Sequence, residues 1–387
     1  MKERTRYIVL PALAGVLALT AVAVLRGQAP YEPVPPAPPM MEEDHRDRSV
    51  HFGQPEPAPV PQPVAEKGCD SCGDYCDLYC PPSFWEHRSA VFVEALYLHA
   101  SGIDMAHAQQ QNGTGGAGTV PFGRIGTVDP QYEPAIRGGI TIAHDSCQSV
   151  TLTYTFYESN AIDAITPPVI GGGGGTVGSL VHHPGPAVLG SAGPVNAAYD
   201  IDFDLADIDY RRLIDGSENH YINYTLGARF ARLEQNFQQT GIFSGGSGGT
   251  IETTTDIDFY SAGIKVGLEG ERQIGCGGFS FYGKTAASAL IGEFRSDYLQ
   301  ANTTSGTNQT IASWVDDRFV STFEYEVGLA WMDECGRFRA SFGYLAQFWF
   351  NAVTTPEFVQ AVQNSDYVDL GDTLAFDGLT GRIEVRW

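Results

Sequence analysis

The sequence predicts an all-β protein: a transmembrane, antiparallel up-and-down β-barrel of about ten strands (8–12) over residues 89–387. Three observations predict this class. Apolar and polar residues alternate with a period of two through this region, an export segment precedes it, and the last strand ends on an aromatic residue. The net charge of −23, from 23 basic and 46 acidic residues, excludes a nucleic-acid partner, because such binding needs basic stripes.

The first 26 residues are predicted to form a signal peptide or anchor. Lys2, Arg4 and Arg6 precede an apolar run over residues 7–25, and Ala-Val-Ala at 21–23 fits a cleavage site. The alternative is a retained membrane anchor, because such a run is just long enough to cross a bilayer. Either interpretation takes the rest of the chain out of the cytoplasm.

A spacer and a cysteine-rich segment separate the export segment from the barrel. Residues 27–67 contain eleven prolines, which favours an extended, semi-rigid linker. Residues 68–88 contain four cysteines, at Cys69, Cys72, Cys76 and Cys80. In an exported chain this spacing favours disulfides, while a metal site and free thiols stay open as alternatives.

Ten segments alternate between apolar and polar residues as half-buried strands do. In residues 150–157, for example, every even position is apolar and three of the four odd positions are Thr. The segments lie near residues 89–100, 132–144, 148–158, 197–212, 220–235, 256–271, 279–294, 318–332, 338–350 and 374–387. Long and short connections alternate between them, as in outer-membrane barrels with long outer loops and short periplasmic turns. Both ends of the barrel are therefore predicted to lie in the periplasm.

The last strand carries the sharpest single signal. Leu379, Gly381, Ile383, Val385 and Trp387 alternate with Arg382, Glu384 and Arg386, and the chain stops on the tryptophan. This pattern looks like the C-terminal assembly signal of bacterial outer-membrane barrels. It predicts the barrel assembly machinery and outer-membrane lipid as partners.

Several strand motifs resemble one known family. They are Val-Glu-Ala-Leu-Tyr-Leu at 93–98, the Asp- and Phe-rich strand 203–211, and Leu-Gly-Ala-Arg-Phe at 226–230. They look like the Legionella-type major outer-membrane protein family, which has related barrels in planctomycetes. The resemblance covers about residues 89–387 and implies a pore-forming barrel in the bacterial outer membrane. The family has no catalytic residues to transfer to this chain.

The polar faces of the strands are predicted to line the lumen, because charge facing lipid at the bilayer midplane costs about 2–4 kcal/mol for Arg or Lys. The predicted lining residues are Glu94, Arg137, Asp200, Asp202, Asp204, Arg229, Lys265, Glu269, Lys284, Glu324, Glu326, Arg339, Arg382, Glu384 and Arg386. These eight acids and seven bases nearly balance. A ten-stranded barrel is also narrow, since open channels are typical of 16–18 strands. The sequence therefore predicts a narrow or gated pore for small solutes or ions.

The run Asp200, Asp202, Asp204, Asp207 and Asp209 is the densest group of charges. The three-residue step before Asp207 moves the last pair to the other face unless a bulge intervenes. One hypothesis is a cation-selective ring or a Ca²⁺ site. The alternative is a lumen patch paired with Arg211, Arg212 and Arg229.

Three further cysteines, Cys147, Cys276 and Cys335, each lie in a predicted short turn. They are predicted to bond to one another or to the 69–80 cluster, against the alternative of unrelated surface thiols. The total of seven is odd, so at least one thiol stays free or links chains.

Signals for an enzyme are weak. His182 and His183 lie near the glycine run 171–175, but no Ser, His and Asp stand at an interpretable spacing, and no phosphate loop is present. We therefore expect no catalysis, no cofactor and no metal site. The alternative function is a structural or adhesion barrel that acts through its loops and N-terminal arm. Binding of that arm to peptidoglycan, and a homo-oligomer, stay open.

Overall fold

The computed structural model describes residues 84–387 except 117, 171, 172 and 276. The predicted signal peptide or anchor, the proline-rich spacer, the four-cysteine cluster and Cys276 lie outside the described residues. In the described part of the chain, no helix is long and apolar enough to span a membrane.

Most of the described chain is strand. In chain order the elements are β1 (Ala90–Ser101), β2 (Met105–Gln111), β3 (Pro121–Val128), β4 (Glu133–Asp145), β5 (Gln148–Ile165), β6 (Val169–Ile170), β7 (Gly173–Gly174), β8 (Thr176–Ser179), β9 (Ser191–Gly216), β10 (His220–Phe243), β11 (Gly249–Gln273), β12 (Phe279–Asn302), β13 (Thr307–Met332), β14 (Phe338–Ala352), α1 (Thr355–Asn364) and β15 (Asp372–Arg386).

Ten of these strands close a barrel. They are β1, β4, β5 and β9 to β15, each antiparallel to both neighbours, and β15 pairs with β1 to complete the ring. The all-β barrel of about ten strands predicted from the sequence is thus confirmed.

The wall is uneven in height. Strands β1, β4, β14 and β15 have 12–15 residues, whereas β9 to β13 have 24–26. Strand β14 pairs with only residues 321–332 of β13. Among the described residues, the N-terminal part of β13, residues 307–320, therefore pairs on one side only, with β12.

The connection between β14 and β15 holds the helix α1, which the sequence did not predict. A proline opens its first turn, and Ser365 ends it in the left-handed conformation, at φ 52°. Phe358, Val359 and Val362 recur at helical spacing. They are buried in the same core cluster as apolar residues of β9 to β12.

The polarity of the two wall faces reverses along the long strands. We call the end that holds both termini of the ring the lower half, and the other end the upper half. In the lower half of β9, Asp207 and Asp209 face inward and are buried, while Ile208 lies on the outward face. In its upper half, Phe203 is buried inside, and Asp202 is on the outward face.

The outward face of each half matches a different surrounding. In the lower half, the outward face forms an apolar belt, as the lipid-facing surface of a membrane barrel does. Its most exposed members include Val93, Ile140, Leu152, Leu226, Ile264, Phe281, Leu329, Phe342 and Ile383. The upper half encloses an apolar core instead. Its largest members are Tyr157, Tyr199, Phe203, Phe237, Phe259, Phe294, Tyr298, Trp349, Phe358 and Phe376.

Candidate functional site in the lower lumen

Sixteen charged side chains face the lumen of the lower half, and we call them the lumen cluster. The eight bases are Arg137, Arg211, Arg229, Lys265, Lys284, Arg339, Arg382 and Arg386; the eight acids are Glu94, Asp207, Asp209, Glu269, Glu271, Glu324, Glu326 and Glu384. Their formal charges sum to zero. Period-two alternation places them inside because the opposite face of each strand is apolar and meets lipid.

The centre of the cluster is built on Arg229 of β10. Its Nε and Nη2 each lie 2.7 Å from an oxygen of Asp207, and its Nη2 lies 3.1 Å from Oε2 of Glu324. Lys265 donates to Asp207 at 2.7 Å and to Asp209 at 2.9 Å. This fork geometry satisfies both oxygens of Asp207, which a buried carboxylate requires.

A second group lies around Glu326 of β13. Lys284 donates to one oxygen of Glu326 at 2.8 Å, and Arg137 lies 3.5 Å from the other. Arg137 also lies 3.4 Å from Glu94, which accepts a hydrogen bond from Thr380.

The remaining pairs lie toward the lower mouth. Arg339 donates to Glu271 at 3.0 Å, while Arg382 and Arg386 share Glu384, at 2.5 and 2.6 Å. Arg211 pairs with Glu269, which also accepts from Asn223 at 2.8 Å. These complete the sixteen charges.

The cluster encloses a polar cavity of about 140 Å³. Charged members of the cluster and three threonines of β5, Thr151, Thr153 and Thr155, line it. This volume holds a few water molecules, since a water's share of liquid is about 30 Å³. Above this polar section the interior is filled by the apolar core and α1.

Residues 84–89 bind beneath the barrel, and we call them the strap. His87 donates its backbone N–H to Ser146 and shares side-chain hydrogen bonds with Ser149, at 2.8 Å, and Asn223, at 3.2 Å. Arg88 donates to the carbonyl of Gly336 at 2.9 Å. Burial and the nearby positive charge of Arg211 lower the pKa of His87, so its ring is neutral at pH 7.

Phe84 packs on the ring of Tyr221 at 5.4 Å between centroids. Together these contacts tie the strap to two lower turns and to the lower ends of β5 and β10.

Twelve of the predicted lining residues face the lumen where the sequence placed them. They are Glu94, Arg137, Arg229, Lys265, Glu269, Lys284, Glu324, Glu326, Arg339, Arg382, Glu384 and Arg386.

The other three, Asp200, Asp202 and Asp204, were placed wrongly. Strand β9 runs without a register shift opposite β5 through this region, so these acids share the outward face, in the upper half. Asp204 there accepts a hydrogen bond from the outward Tyr154 at 2.5 Å. They therefore form no lumen ring.

Four lining residues were missed: Asp207, Asp209, Arg211 and Glu271. The three-residue step between Asp204 and Asp207 already indicated opposite faces. Glu271 stands two residues beyond Glu269 on the same face, so alternation could have found it.

The turn cysteines are only partly described. Cys147 and Cys335 lie in the turns before β5 and β14, each half-buried, and the Cys147 thiol lies 3.8 Å from Oγ of Ser146. Cys276 and the 69–80 cluster lie outside the described residues. The disulfide pattern thus stays a prediction.

The histidine pair lies in the loop between β8 and β9. The ring of His182 packs edge-on against Phe243 at 4.5 Å, and burial lowers its pKa to about 4. It is therefore neutral at pH 7. Across the described ranges, no group of three or more His, Cys, Asp and Glu side chains is arranged to hold a metal ion.

Comparison with known proteins identifies one family and two similar solved structures. The model of the family described as "Legionella pneumophila major outer membrane protein precursor" matches residues 80–380. The outer membrane protease OmpT from Escherichia coli is similar over 78% of this chain and 97% of that chain, with 9% identity and a TM-score of 0.46. A Pseudomonas aeruginosa FadL homologue covers 77% of this chain and 89% of its own, with 8% identity and a TM-score of 0.19. No curated protein matches the chain.

Proposed function

We propose, from the premise that the chain belongs to the family of the Legionella pneumophila major outer membrane protein precursor, that it forms a gated pore for small solutes or ions. Family and fold place the protein in the bacterial outer membrane as a β-barrel. The finer function rests on the lumen.

The lumen cluster is the observation that supports a pore. Ionisable side chains at membrane depth are costly, and they commonly mark solute or ion pathways. Here fourteen of the sixteen members of the lumen cluster line a polar cavity of about 140 Å³ in the lower half. Because their charges sum to zero, net lumen charge gives no basis for strong cation or anion selectivity.

The pore is closed at rest. The upper core and α1 fill the lumen above the cavity. Burying Phe358, Val359 and Val362 stabilises the closed state by roughly 1.5–3 kcal/mol per side chain. Lifting α1 therefore costs roughly 5–9 kcal/mol, so fewer than about one barrel in a thousand is open without a trigger. Conduction then requires α1 and the apolar core below it to move out of the lumen.

Single-channel recording in planar bilayers tests this proposal. The wild-type barrel should be almost silent, with rare openings well below nanosiemens. A variant whose residues 354–371 are replaced by a short Gly-Ser loop should open more often, because the helix no longer fills the upper lumen. Substitution of an exposed helix residue, Gln360→Ala, is the matched control. Nanosiemens steps in the wild type, or a folded loop variant as silent as the wild type, would overturn the gated pore.

The second candidate is a structural or adhesion barrel that presents its surface and N-terminal arm. The solid upper core favours it, because such a core leaves no passage. This candidate predicts silence for both barrels and binding of the full-length protein to isolated peptidoglycan. For either candidate we propose no enzyme activity and no cofactor, with outer-membrane lipid and the barrel assembly machinery as partners.

A further inference from the structure

Three guanidinium groups surround two carboxylates at the lower end of the lumen. We call Arg339, Arg382 and Arg386 the arginine trio. Arg382 and Arg386 each bond to a different oxygen of Glu384, at 2.5 and 2.6 Å. Arg339 opposes Glu384 on the neighbouring strand and donates to Glu271 at 3.0 Å.

Every oxygen of these two carboxylates already accepts at least one hydrogen bond. Glu384 uses both on the trio. Glu271 accepts from Tyr221 at 2.8 Å in addition to Arg339 on one oxygen, and from Ser280 on the other.

The trio and its two carboxylates carry a surplus of one positive charge. The adjacent pair of Arg211 and Glu269 is neutral and does not change it. The compensating negative charge lies in the Arg229 and Lys265 group, whose three carboxylates already bind those two bases. A localised surplus of buried charge is unfavourable unless a counter-ion is bound.

Donors in this region also exceed acceptors. The Nε groups of Arg339, Arg382 and Arg211 are buried and have no hydrogen-bond acceptor among the described residues. Arg339 as a whole is only 4% exposed. Buried guanidinium N–H groups without acceptors are costly, so they favour a negatively charged ligand.

The cavity walls hold these side chains in place. The guanidinium of Arg382 lies 3.5 Å from the centroid of the Phe92 ring, and that of Arg339 lies 5.4 Å from the Tyr282 ring. These cation–π contacts hold both guanidinium groups at the cavity wall. The trio, Arg211 and Tyr221 all line the 140 Å³ cavity, which can hold a small ion together with water.

We propose that this cavity binds a small monovalent inorganic anion at the arginine trio. A halide neutralises the local surplus and accepts hydrogen bonds from the trio's guanidinium groups, which line the cavity. The site is formed in the closed barrel and does not depend on whether the barrel conducts.

Bromide, which scatters anomalously, is the probe. Crystals of the full-length refolded protein grown in sodium bromide should show an anomalous peak within hydrogen-bond distance of Arg339 or Arg382. In solution, bromide competition should narrow the broadened ³⁵Cl NMR line of chloride bound to the wild-type protein.

Arg382→Gln should weaken halide binding about tenfold or more, because it removes the surplus charge and a charged donor. The matched control is Arg212→Gln, on the outward face of β9, which should leave binding unchanged. Arg386→Gln replaces Arg382→Gln if the latter does not fold. Absence of a cavity peak, or equal ³⁵Cl broadening in the folded trio variant and the control, would overturn the site.

Discussion

The interiors of the lower and upper halves of this barrel are packed with opposite kinds of side chain. In the lower half, acids and bases fill the interior and apolar side chains face outward. In the upper half, aromatic and aliphatic side chains fill the interior, and the outward face is polar. Strand β9 passes through both, with Phe203 and Asp207 on the same inward face.

The difference shows that strand alternation fixes which residues share a face but not which face is inside. The solvent outside the wall decides that. Where lipid surrounds the strand, the polar set must turn inward, and where water surrounds it, the apolar set does. Substitutions in each interior, and on the outward face at the boundary between the halves, therefore test this difference.

The largest effect is expected from breaking the lower interior. Arg229→Ala leaves three buried carboxylates, Asp207, Asp209 and Glu324, to share the single positive charge of Lys265, so we expect a loss of about 3–5 kcal/mol in the free energy of unfolding. Equilibrium urea unfolding in lipid vesicles measures it. The control is Arg232→Ala, three residues on and outward, which should cost less than about 1 kcal/mol. Equal losses at the two sites would mean that the buried ion pairs of the lumen stabilise the fold no more than the outward pairs do.

A similar loss is expected from the upper interior through a different mechanism. Phe203 packs against Tyr157 at 5.2 Å and Phe376 at 4.6 Å, and is almost fully buried. Phe203→Ala should cost about 3–5 kcal/mol through lost burial and the cavity it leaves. The exposed Asn196→Ala on the same strand is the control. An unfolding midpoint close to that of Asn196→Ala would show that the upper half is not a packed core.

The boundary itself can be located on the outward face of β9. Ile208→Lys places a charge against lipid and should cost about 2–4 kcal/mol, whereas Asp202→Lys, six residues higher, should cost under about 1 kcal/mol. The same vesicle unfolding assay compares the two. Similar costs at both positions would place them on one side of the membrane surface.

The smallest effect concerns Glu234 on the outward face just above the belt. Desolvation and a hydrogen bond with Asp258 raise its pKa to about 7, although the positive charge of Arg232 opposes the shift. Asp202 lies opposite Glu234 on the other neighbouring strand. The folded state therefore binds a proton more tightly than the unfolded state. Stability should be highest below pH 4.5 and fall as the pH rises through 7, by at most about 1 kcal/mol at this solvent-screened site.

Glu234→Gln removes this titration. Its unfolding free energy should exceed that of the wild type at pH 8 and match it at pH 4. An identical pH dependence in both proteins would assign the titration elsewhere.

The ten barrel strands were predictable because each carries a long, regular alternation. The twelve correctly placed lining residues follow from it, since lipid dictates the orientation of strands such as 260–268. The orientation of the acids at 200–204 was predicted wrongly because the sequence does not show where the membrane ends. The lumen-facing orientation of the polar face was therefore extended to residues above the membrane. The helix α1 was missed although Pro356 and the spacing of Phe358 and Val362 indicated it, because the connection looked like another outer loop.

The apolar belt is as uneven as the wall. Outward apolar side chains extend over residues 319–331 of β13 but only over 91–97 of β1. With about 3.4 Å per residue and a tilt of 35–45°, these spans correspond to roughly 30 and 15 Å of membrane. Such hydrophobic mismatch is relieved by tilting the barrel or thinning the bilayer beside the short strands. The β15–β1 seam, where the ring closes, therefore lies in a thin part of the barrel's contact with lipid.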